Sequence, residues 1–225
     1  MMNICERIEN ILEIIEKCKI KAGRKDNVKL IAVSKTFPAD KILEVYNCGI
    51  RDFGENYVQE MIKKIDELKN YGIKWHFIGH LQRNKAKYIF DKIEYLQSLC
   101  SIKLAEILNR KLETKGLKLK VLVQVNIGKD KNKHGIYEEE LEDFLIELQK
   151  FKNLIIKGLM CIPPLSIDRE ITRKYYRKMR ELFEKYKDNF QFEELSMGMS
   201  GDFDIAVEEG ATMVRIGTLI FGQRS

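Results

Sequence analysis

Apolar positions along the chain follow two patterns, helical spacing and short continuous runs. From Ile4 to Cys18 they fall at helical spacing, which predicts an opening α-helix before any strand. Short apolar runs then alternate with amphipathic stretches. The runs predict eight strands, at Lys29–Lys35, Gly49–Phe53, Trp75–Gly79, Ile93–Ser98, Lys120–Asn126, Ile155–Met160, Glu194–Ser196 and Met213–Ile216. The stretches between them predict seven helices, at Ala39–Asn47, Asn56–Asn70, Arg83–Phe90, Ile102–Thr114, Glu138–Phe151, Asp168–Tyr186 and Asp202–Glu209.

Strands that alternate with helices of this length indicate parallel pairing through right-handed crossovers. Eight such units after an extra N-terminal helix favour an α/β fold, a single (β/α)8 TIM barrel, over an open sheet. Because composition does not shift along the 225 residues, we expect one domain that spans residues 1–225. In such a barrel the residues that follow the C-terminal ends of the strands share one mouth, where functional groups lie.

Composition and charge argue against several classes of function. The net charge is +6, but lysines and glutamates are interleaved, as in Lys63-Lys64-Ile-Asp66-Glu67. That pattern is typical of solvated helix faces, so we expect no nucleic-acid partner. The stretch Met1–Lys25 lacks the apolar core of a signal peptide or membrane span, so no membrane partner is expected either. Without an apolar heptad pattern, we expect a monomer.

The cysteines indicate a reducing compartment. Five of them are scattered along the chain without a Cys-x-x-Cys pair: Cys5, Cys18, Cys48, Cys100 and Cys161. Such spacing is typical of reduced thiols and not of a disulfide scaffold or a zinc site. We therefore expect five free thiols and cytoplasmic residence.

A single lysine, Lys35, ends the first predicted strand at the expected mouth. A lysine amine forms an imine only after it loses its proton, and an apolar wall around Ile31 and Val33 would favour that loss. The alternative is that Lys35 ends the strand and extends into solvent. Two small-residue loops late in the chain favour the imine.

Those two loops predict a phosphate site. Gly217 and Thr218 follow the last strand and precede one short helical turn, whose unpaired N–H groups attract an anion. Ser200 and Gly201, after the seventh strand, would form a second wall. A turn without a ligand is the alternative for each loop taken alone. Arg215 either forms an ion pair at the mouth or, as a group that only donates, holds a pyridine nitrogen unprotonated.

Histidines do not predict a metal site. His76 and His80 fall on one face of a strand, but no third ligand lies at metal spacing, so no metal is expected. Each packs either against a ligand ring or as a satisfied core histidine. His134 is expected to be solvated in the polar loop Gly128–Gly135.

Longer stretches around these residues resemble the YggS/PROSC family of pyridoxal 5′-phosphate (PLP) homeostasis proteins. The matching stretches cover nearly the entire chain, at Ala32–Thr36, Phe53–Glu60, His76–Lys85, Val125–Ile127, Gly158–Met160, Leu195–Asp202 and Met213–Gly222. The resemblance implies a PLP-binding barrel similar to the N-terminal domain of alanine racemase. It also implies a role in intracellular PLP homeostasis without a dedicated catalytic reaction, with PLP and apo PLP-dependent enzymes as partners.

The resemblance further implies roles for six residues. Lys35 would hold PLP as a lysine aldimine, and Arg215 would face the pyridine nitrogen. Asn56 would line the cofactor site. The phosphate would be held by Ser200, Gly217 and Thr218. The chain departs from the usual family sequence at Phe37 and at Cys161–Pro164, neither of which is among these six positions.

Two other functions remain open from the sequence. A PLP enzyme such as a racemase would move protons on both faces of the ring, with Lys35 on one face and Tyr57 or His80 on the other. In alanine racemase the second group comes from an additional β domain, for which we expect 225 residues to leave no room, so at most a residual racemase-like activity is expected. A phosphosugar aldolase would use the same amine and phosphate site.

Overall fold

The computed structural model describes residues 2–223, so Met1, Arg224 and Ser225 of the predicted domain lie outside the described residues. Eight parallel strands pair in chain order, and the last pairs back with the first to close a barrel. They are β1 (Lys29–Val33), β2 (Asp52–Glu55), β3 (Lys74–Phe77), β4 (Tyr95–Leu99), β5 (Leu119–Val125), β6 (Leu154–Cys161), β7 (Glu194–Ser196) and β8 (Met213–Ile216). The predicted (β/α)8 barrel is confirmed.

Helices alternate with the strands. They are α1 (Ile4–Lys21), α2 (Ala39–Asn47), α3 (Val58–Glu67), α4 (Ile102–Lys115), α5 (Leu141–Leu148), α6 (Arg169–Phe190), α7 (Phe203–Glu208) and α8 (Thr218–Phe221). The extra N-terminal helix is thus also confirmed, and its start is fixed by a capping box between Asn3 and Glu6. None of the helices within residues 2–223 has both the length and the apolar character that crossing a membrane requires.

Most differences from the predicted elements lie at their ends. Strand β1 ends at Val33, so Lys35 lies in the turn after it and not in the strand. Strand β2 begins at Asp52 instead of Gly49, because Gly49 has a φ of 98° and its N–H closes the end of α2 by donating to Tyr46 O. The predicted helix at Arg83–Phe90 is a 3-10 helix over Arg83–Tyr88, and another 3-10 turn, Glu138–Glu140, precedes α5.

The barrel wall separates two apolar regions. Outward-facing strand side chains such as Phe53 and Phe77 pack under the helices in the larger core. The lumen of the barrel contains a smaller cluster, made of Ile31, Tyr95, Leu122, Met160 and Met213. Together these two buried regions supply the apolar burial that keeps the strands in register.

Pairing between β1 and β8 determines which loops meet at the mouth. Ile31 is level with Arg215, and Ala32 is level with Ile216. One residue further along each strand, β1 ends at Val33 and β8 is followed by Gly217. The turn that carries Lys35 and the loop after β8 therefore leave the barrel side by side.

The expectation of five free thiols is wrong. Cys5, near the start of α1, and Cys48, directly after α2, form a disulfide with their Cα atoms 5.3 Å apart. The two residues are 43 positions apart, and only the packing of α1 against α2 brings them together. Cys18, Cys100 and Cys161 are free.

Thiol labelling tests this bond. In denaturant without reductant, an alkylating reagent should modify three cysteines, and after reduction it should modify all five. Cys5→Ser should lower the free energy of unfolding in urea by about 2–4 kcal/mol, because the unfolded chain loses a cross-link. Cys100→Ser, which leaves the bond intact, is the matched control. Five modified cysteines without reductant would contradict the assignment.

Candidate functional site

A cavity of about 240 Å³ opens at the mouth of the barrel. It lies slightly below the range of about 300–1,000 Å³ that is typical of sites for drug-sized ligands, which suits a smaller molecule. All six predicted site residues line this one cavity: Lys35, Asn56, Ser200, Arg215, Gly217 and Thr218. The structure therefore brings together residues from both ends of the chain, while their individual roles toward a ligand stay predictions.

Two other lining residues, Val33 and Gly201, were predicted as walls of the site. The rest of the lining, Ile78, Ile162 and Met199, was not predicted. These three side chains carry no group that marks a ligand site in a sequence. Only their position at or just after the ends of strands could have pointed to them.

The turn that carries Lys35 is held by α3. Lys35 is half-buried, and the next residue, Thr36, has a left-handed φ of 71°. That conformation costs a β-branched residue about 1–3 kcal/mol, so the surroundings must impose it. The N–H of Thr36 donates to Glu60 Oε1 at 2.5 Å, and the same oxygen accepts from Lys64 Nζ at 2.6 Å.

A buried ion-pair cluster lies under this turn. Lys64 is only 5% exposed, and its Nζ also donates to Glu55 Oε1 at 2.7 Å and to Ser34 O at 2.8 Å. The Ser34 hydroxyl donates to the same Glu55 oxygen at 2.6 Å. Burial raises the pKa of Glu55, although the Lys64 ammonium opposes that rise. Both chain neighbours of Lys35 are therefore fixed by one cluster.

The prediction of a solvated face for Lys63–Glu67 is wrong at Lys64. Met61, Lys64 and Leu68 follow helical spacing, and all three are buried against the barrel. Lys63 is exposed, as predicted. The helical position of Lys64 on the apolar side of α3 was the available signal.

The two predicted phosphate loops contact each other directly. The N–H of Gly217 donates to Ser200 Oγ at 3.3 Å, and Asp202 holds the Ser200 loop by accepting from Met199 N at 2.7 Å. A Cβ atom at Gly217 would lie 3.3 Å from Val33 O, so glycine lets this loop pack closely against β1. Helix α8 begins directly after it, and the first N–H groups of a helix have no partner within the helix.

An aromatic pair links the lysine turn to α8. The rings of Phe37 and Phe221 stack with centroids 4.8 Å apart and planes 21° apart. Phe37 is one of the two positions where the chain departs from the usual family sequence. Its packing fixes the Lys35 turn relative to the loop at Gly217.

Arg215 brings a buried positive charge to the floor of the cavity. It is 3% exposed, and its N–H groups donate to Ser196 Oγ at 2.6 Å and to Cys161 O at 2.8 Å. Both acceptors are neutral, and burial lowers the pKa of Arg215. An anionic ligand in the cavity would offset the cost of burying this charge.

Asn56 is placed by the close approach of a neighbouring strand end. A Cβ atom at Gly79 would lie 2.2 Å from Asn56 O, so only glycine allows this contact. Within the described residues, Asn56 Oδ1 is buried without a hydrogen-bond partner. Burying a polar atom without a hydrogen bond costs free energy, and a ligand can supply the missing bond. A polar ligand therefore fits this cavity.

The histidines lie apart from this cavity. His76 is a satisfied histidine of the barrel lumen, between Asp52 Oδ1 at 2.9 Å and Gln97 Nε2 at 3.0 Å, and burial lowers its pKa. His80 stacks on the exposed His134 with ring centroids 3.8 Å apart. It borders a separate cavity of about 510 Å³ without any of the six predicted residues, and another of about 380 Å³ that Asn56 also lines. Within residues 2–223, no group of three His, Cys, Asp or Glu residues could hold a metal ion.

Comparison with known proteins shows the family of the chain. Residues 8–225 match the family model of the alanine racemase N-terminal domain. The chain is also 44% identical to the pyridoxal phosphate homeostasis protein of Aquifex aeolicus, over 99% of each chain. The chain belongs to the family of pyridoxal phosphate homeostasis proteins. The match gives no support to the phosphosugar aldolase alternative.

Solved structures show the same fold. PipY from Synechococcus elongatus, solved with PLP bound, is 36% identical with a TM-score of 0.85, over 98% of this chain and 100% of that chain. An alanine racemase from Clostridium difficile has a TM-score of 0.70 at 18% identity, over 97% of this chain and 57% of that chain. The second likeness concerns the barrel fold alone.

The cluster under the lysine turn makes a testable prediction. Lys64→Met should lower the free energy of unfolding by about 3–5 kcal/mol, because Glu55 is left buried without its cation. Lys63→Met, on the exposed face of the same helix, is the matched control and should change it by about 0.5 kcal/mol or less. Urea unfolding measures both. Equal losses for the two variants would show that Lys64 does not hold a buried carboxylate.

Proposed function

We propose that this protein binds PLP in the mouth cavity and serves intracellular PLP homeostasis without a dedicated catalytic reaction. The observation that carries the proposal is that one small cavity contains an amine, two loops that carry hydroxyl and N–H groups, and a buried guanidinium. The family to which the chain belongs, and the PLP-bound relative with the same fold, support the choice of PLP as the ligand. When bound, PLP supplies an aldehyde that a primary amine takes up reversibly.

Lys35 supplies the covalent attachment. Its amine would hold PLP through the aldehyde carbon, with the aldehyde oxygen and the two amine hydrogens released as one water molecule. The apolar lining of the cavity, Val33, Ile78 and Ile162, keeps bulk water from that bond. The anchored neighbours of Lys35, Ser34 and Thr36, fix its backbone at the edge of the cavity.

The remaining polar groups orient the cofactor. The Ser200 hydroxyl, the Thr218 hydroxyl and the N–H groups that follow Gly217 hold the phosphate. Arg215 faces the pyridine nitrogen and keeps it unprotonated, because a guanidinium only donates. The ring is then a poor electron sink, which suits retention of PLP better than turnover of amino acids. The Asn56 amide completes the polar contacts.

A homeostasis role also requires release. A Schiff base is hydrolysed reversibly, so a cavity open at the barrel mouth can both take up PLP and give it back. We propose that the recipients are apo PLP-dependent enzymes and that the protein acts as a monomer in the cytoplasm. Delivery to a recipient needs no further chemistry from the chain.

Lysine substitution tests the attachment. Added PLP should give the wild-type protein a visible absorbance, and borohydride should fix one pyridoxyl group on the peptide that contains Lys35. Lys35→Ala should abolish both signals, because no other amine lines the cavity within the described residues. Lys85→Ala is the matched control, since Lys85 borders a neighbouring cavity at the mouth. A colourless protein at saturating PLP, or an adduct on another lysine, would refute the proposal.

A residual racemase-like activity is the second candidate. It is favoured by the shared barrel fold and by Tyr57 and His80, which border one cavity beside the proposed PLP site. Proton transfer on both ring faces would require one of them to reach the substrate.

Deuterium exchange separates the two functions. With PLP bound and alanine added in heavy water, exchange at the amino acid α-carbon should be no faster than with free PLP, because Arg215 withholds a proton from the ring. Tyr57→Phe and His80→Gln should leave this rate unchanged. Faster exchange that either variant abolishes would show a racemase-like enzyme.

A further inference from the structure

A continuous hydrogen-bonded chain leads from the proposed PLP site through the lumen of the barrel. It comprises four bonds: Arg215 to Ser196 Oγ (2.6 Å), Ser196 Oγ to Gln97 Oε1 (2.7 Å), Gln97 Nε2 to His76 Nδ1 (3.0 Å), and His76 Nε2 to Asp52 Oδ1 (2.9 Å). We call it the lumen relay. Apart from Asp52, every member is at most 3% exposed.

The relay crosses the barrel from one end to the other. Gln97 lies on β4 and Ser196 on β7, and these strands are not neighbours in the barrel, so their bond must cross the lumen. Arg215 lines the mouth cavity, whereas Asp52 is the first residue of β2 and lies at the opposite end. No member other than Arg215 lines that cavity. The apolar lumen cluster surrounds the relay, and the Tyr95 ring stacks on His76 with centroids 5.1 Å apart.

With the Gln97 amide oxygen toward Ser196 and its nitrogen toward His76, every bond in the relay has one direction. Arg215 can only donate, so Ser196 Oγ accepts from it and donates its own hydrogen to Gln97 Oε1. The Gln97 amide nitrogen then donates to His76 Nδ1. His76 must therefore be neutral with its proton on Nε2, which it donates to the Asp52 carboxylate. A buried cation at the mouth is thus linked to a carboxylate at the far end.

We propose that Ser196, Gln97, His76 and Asp52 are positioning residues that fix the guanidinium of Arg215 toward the cofactor ring. The inference rests on the proposed PLP site. An arginine side chain has several rotatable bonds, and Ser196 supplies one of its two fixed contacts. Gln97 Oε1 accepts the Ser196 hydrogen and so holds the Ser196 hydroxyl with its lone pairs toward Arg215, and His76 Nδ1 holds the Gln97 amide in that orientation by accepting from its nitrogen. Asp52 therefore acts on Arg215 through three intermediate side chains.

Substitution at the far end gives the sharpest test. Asp52→Ala removes the acceptor for His76 Nε2–H, which allows the proton to move to Nδ1 and opposes the Gln97 bond. PLP should then bind between about twofold and thirtyfold more weakly, with a changed visible spectrum. Asp52→Asn keeps an acceptor oxygen and should restore both properties. Glu94→Ala, which removes a different carboxylate at the same end of the barrel, is the matched control and should resemble the wild type.

A second variant tests the relay at another of its members. A measurement on the PLP-free protein tests it without reference to PLP binding. Gln97→Met removes the middle of the relay and should weaken PLP binding about tenfold or more, whereas Leu122→Met, in the same lumen, should not. Nitrogen NMR of labelled histidine in the PLP-free protein should show His76 as the neutral Nε2–H form, and Asp52→Ala should shift it toward Nδ1–H. Thermal unfolding confirms that each variant is folded.

The outcomes separate the two proposals. A wild-type protein that fails to take up PLP would refute the proposed function, whatever the state of His76. If the wild type binds PLP but folded Asp52→Ala and Gln97→Met match their controls in affinity and spectrum, the positioning role is overturned. The Nδ1–H or doubly protonated form of His76 in the wild type would also overturn it, because the relay could not then have its single direction.

Discussion

The pairing of β1 with β8 is the constraint on which the site depends. This pair closes the barrel, and its register sets Ile31 level with Arg215 and the end of β1 beside Gly217. Almost the entire chain separates these two strands, so no local interaction could bring them together. The burial of the lumen and of the outer core holds the closure. An amine from the first turn and donors from the last loop therefore share one cavity.

Beside the paired strands β1 and β8, buried polar groups hold the site in one arrangement. Outside the barrel wall, Lys64 and Glu55 fix the turn on both sides of Lys35. Inside it, Ser196 and the rest of the lumen relay contact Arg215. Both sets are buried, so each bond is stronger than in water and each missing partner is costly.

The fold was predictable from the sequence because strands and helices alternate regularly in it. Lys35 and Gly217 were predictable as neighbours because residues after the ends of parallel strands meet at one mouth. The role of Lys64 in holding the Lys35 turn was not predictable. In a helix rich in charged residues, only its position on the apolar face distinguishes Lys64 from its neighbours. The role of His76 stayed open between packing against a ligand ring and being a satisfied core histidine, because its partners Asp52 and Gln97 lie on other strands. The Cys5–Cys48 bond depends on helix packing, which spacing along the chain does not show.

We propose that one ligand in the mouth cavity contacts residues from both ends of the chain. A crystal structure of the protein with PLP can show this contact. We expect continuous density from Lys35 Nζ to the cofactor, the phosphate against Ser200 and the N–H groups after Gly217, and Arg215 facing the pyridine nitrogen. PLP bound in another cavity, or in this one with its phosphate away from the Gly217 loop, would contradict it.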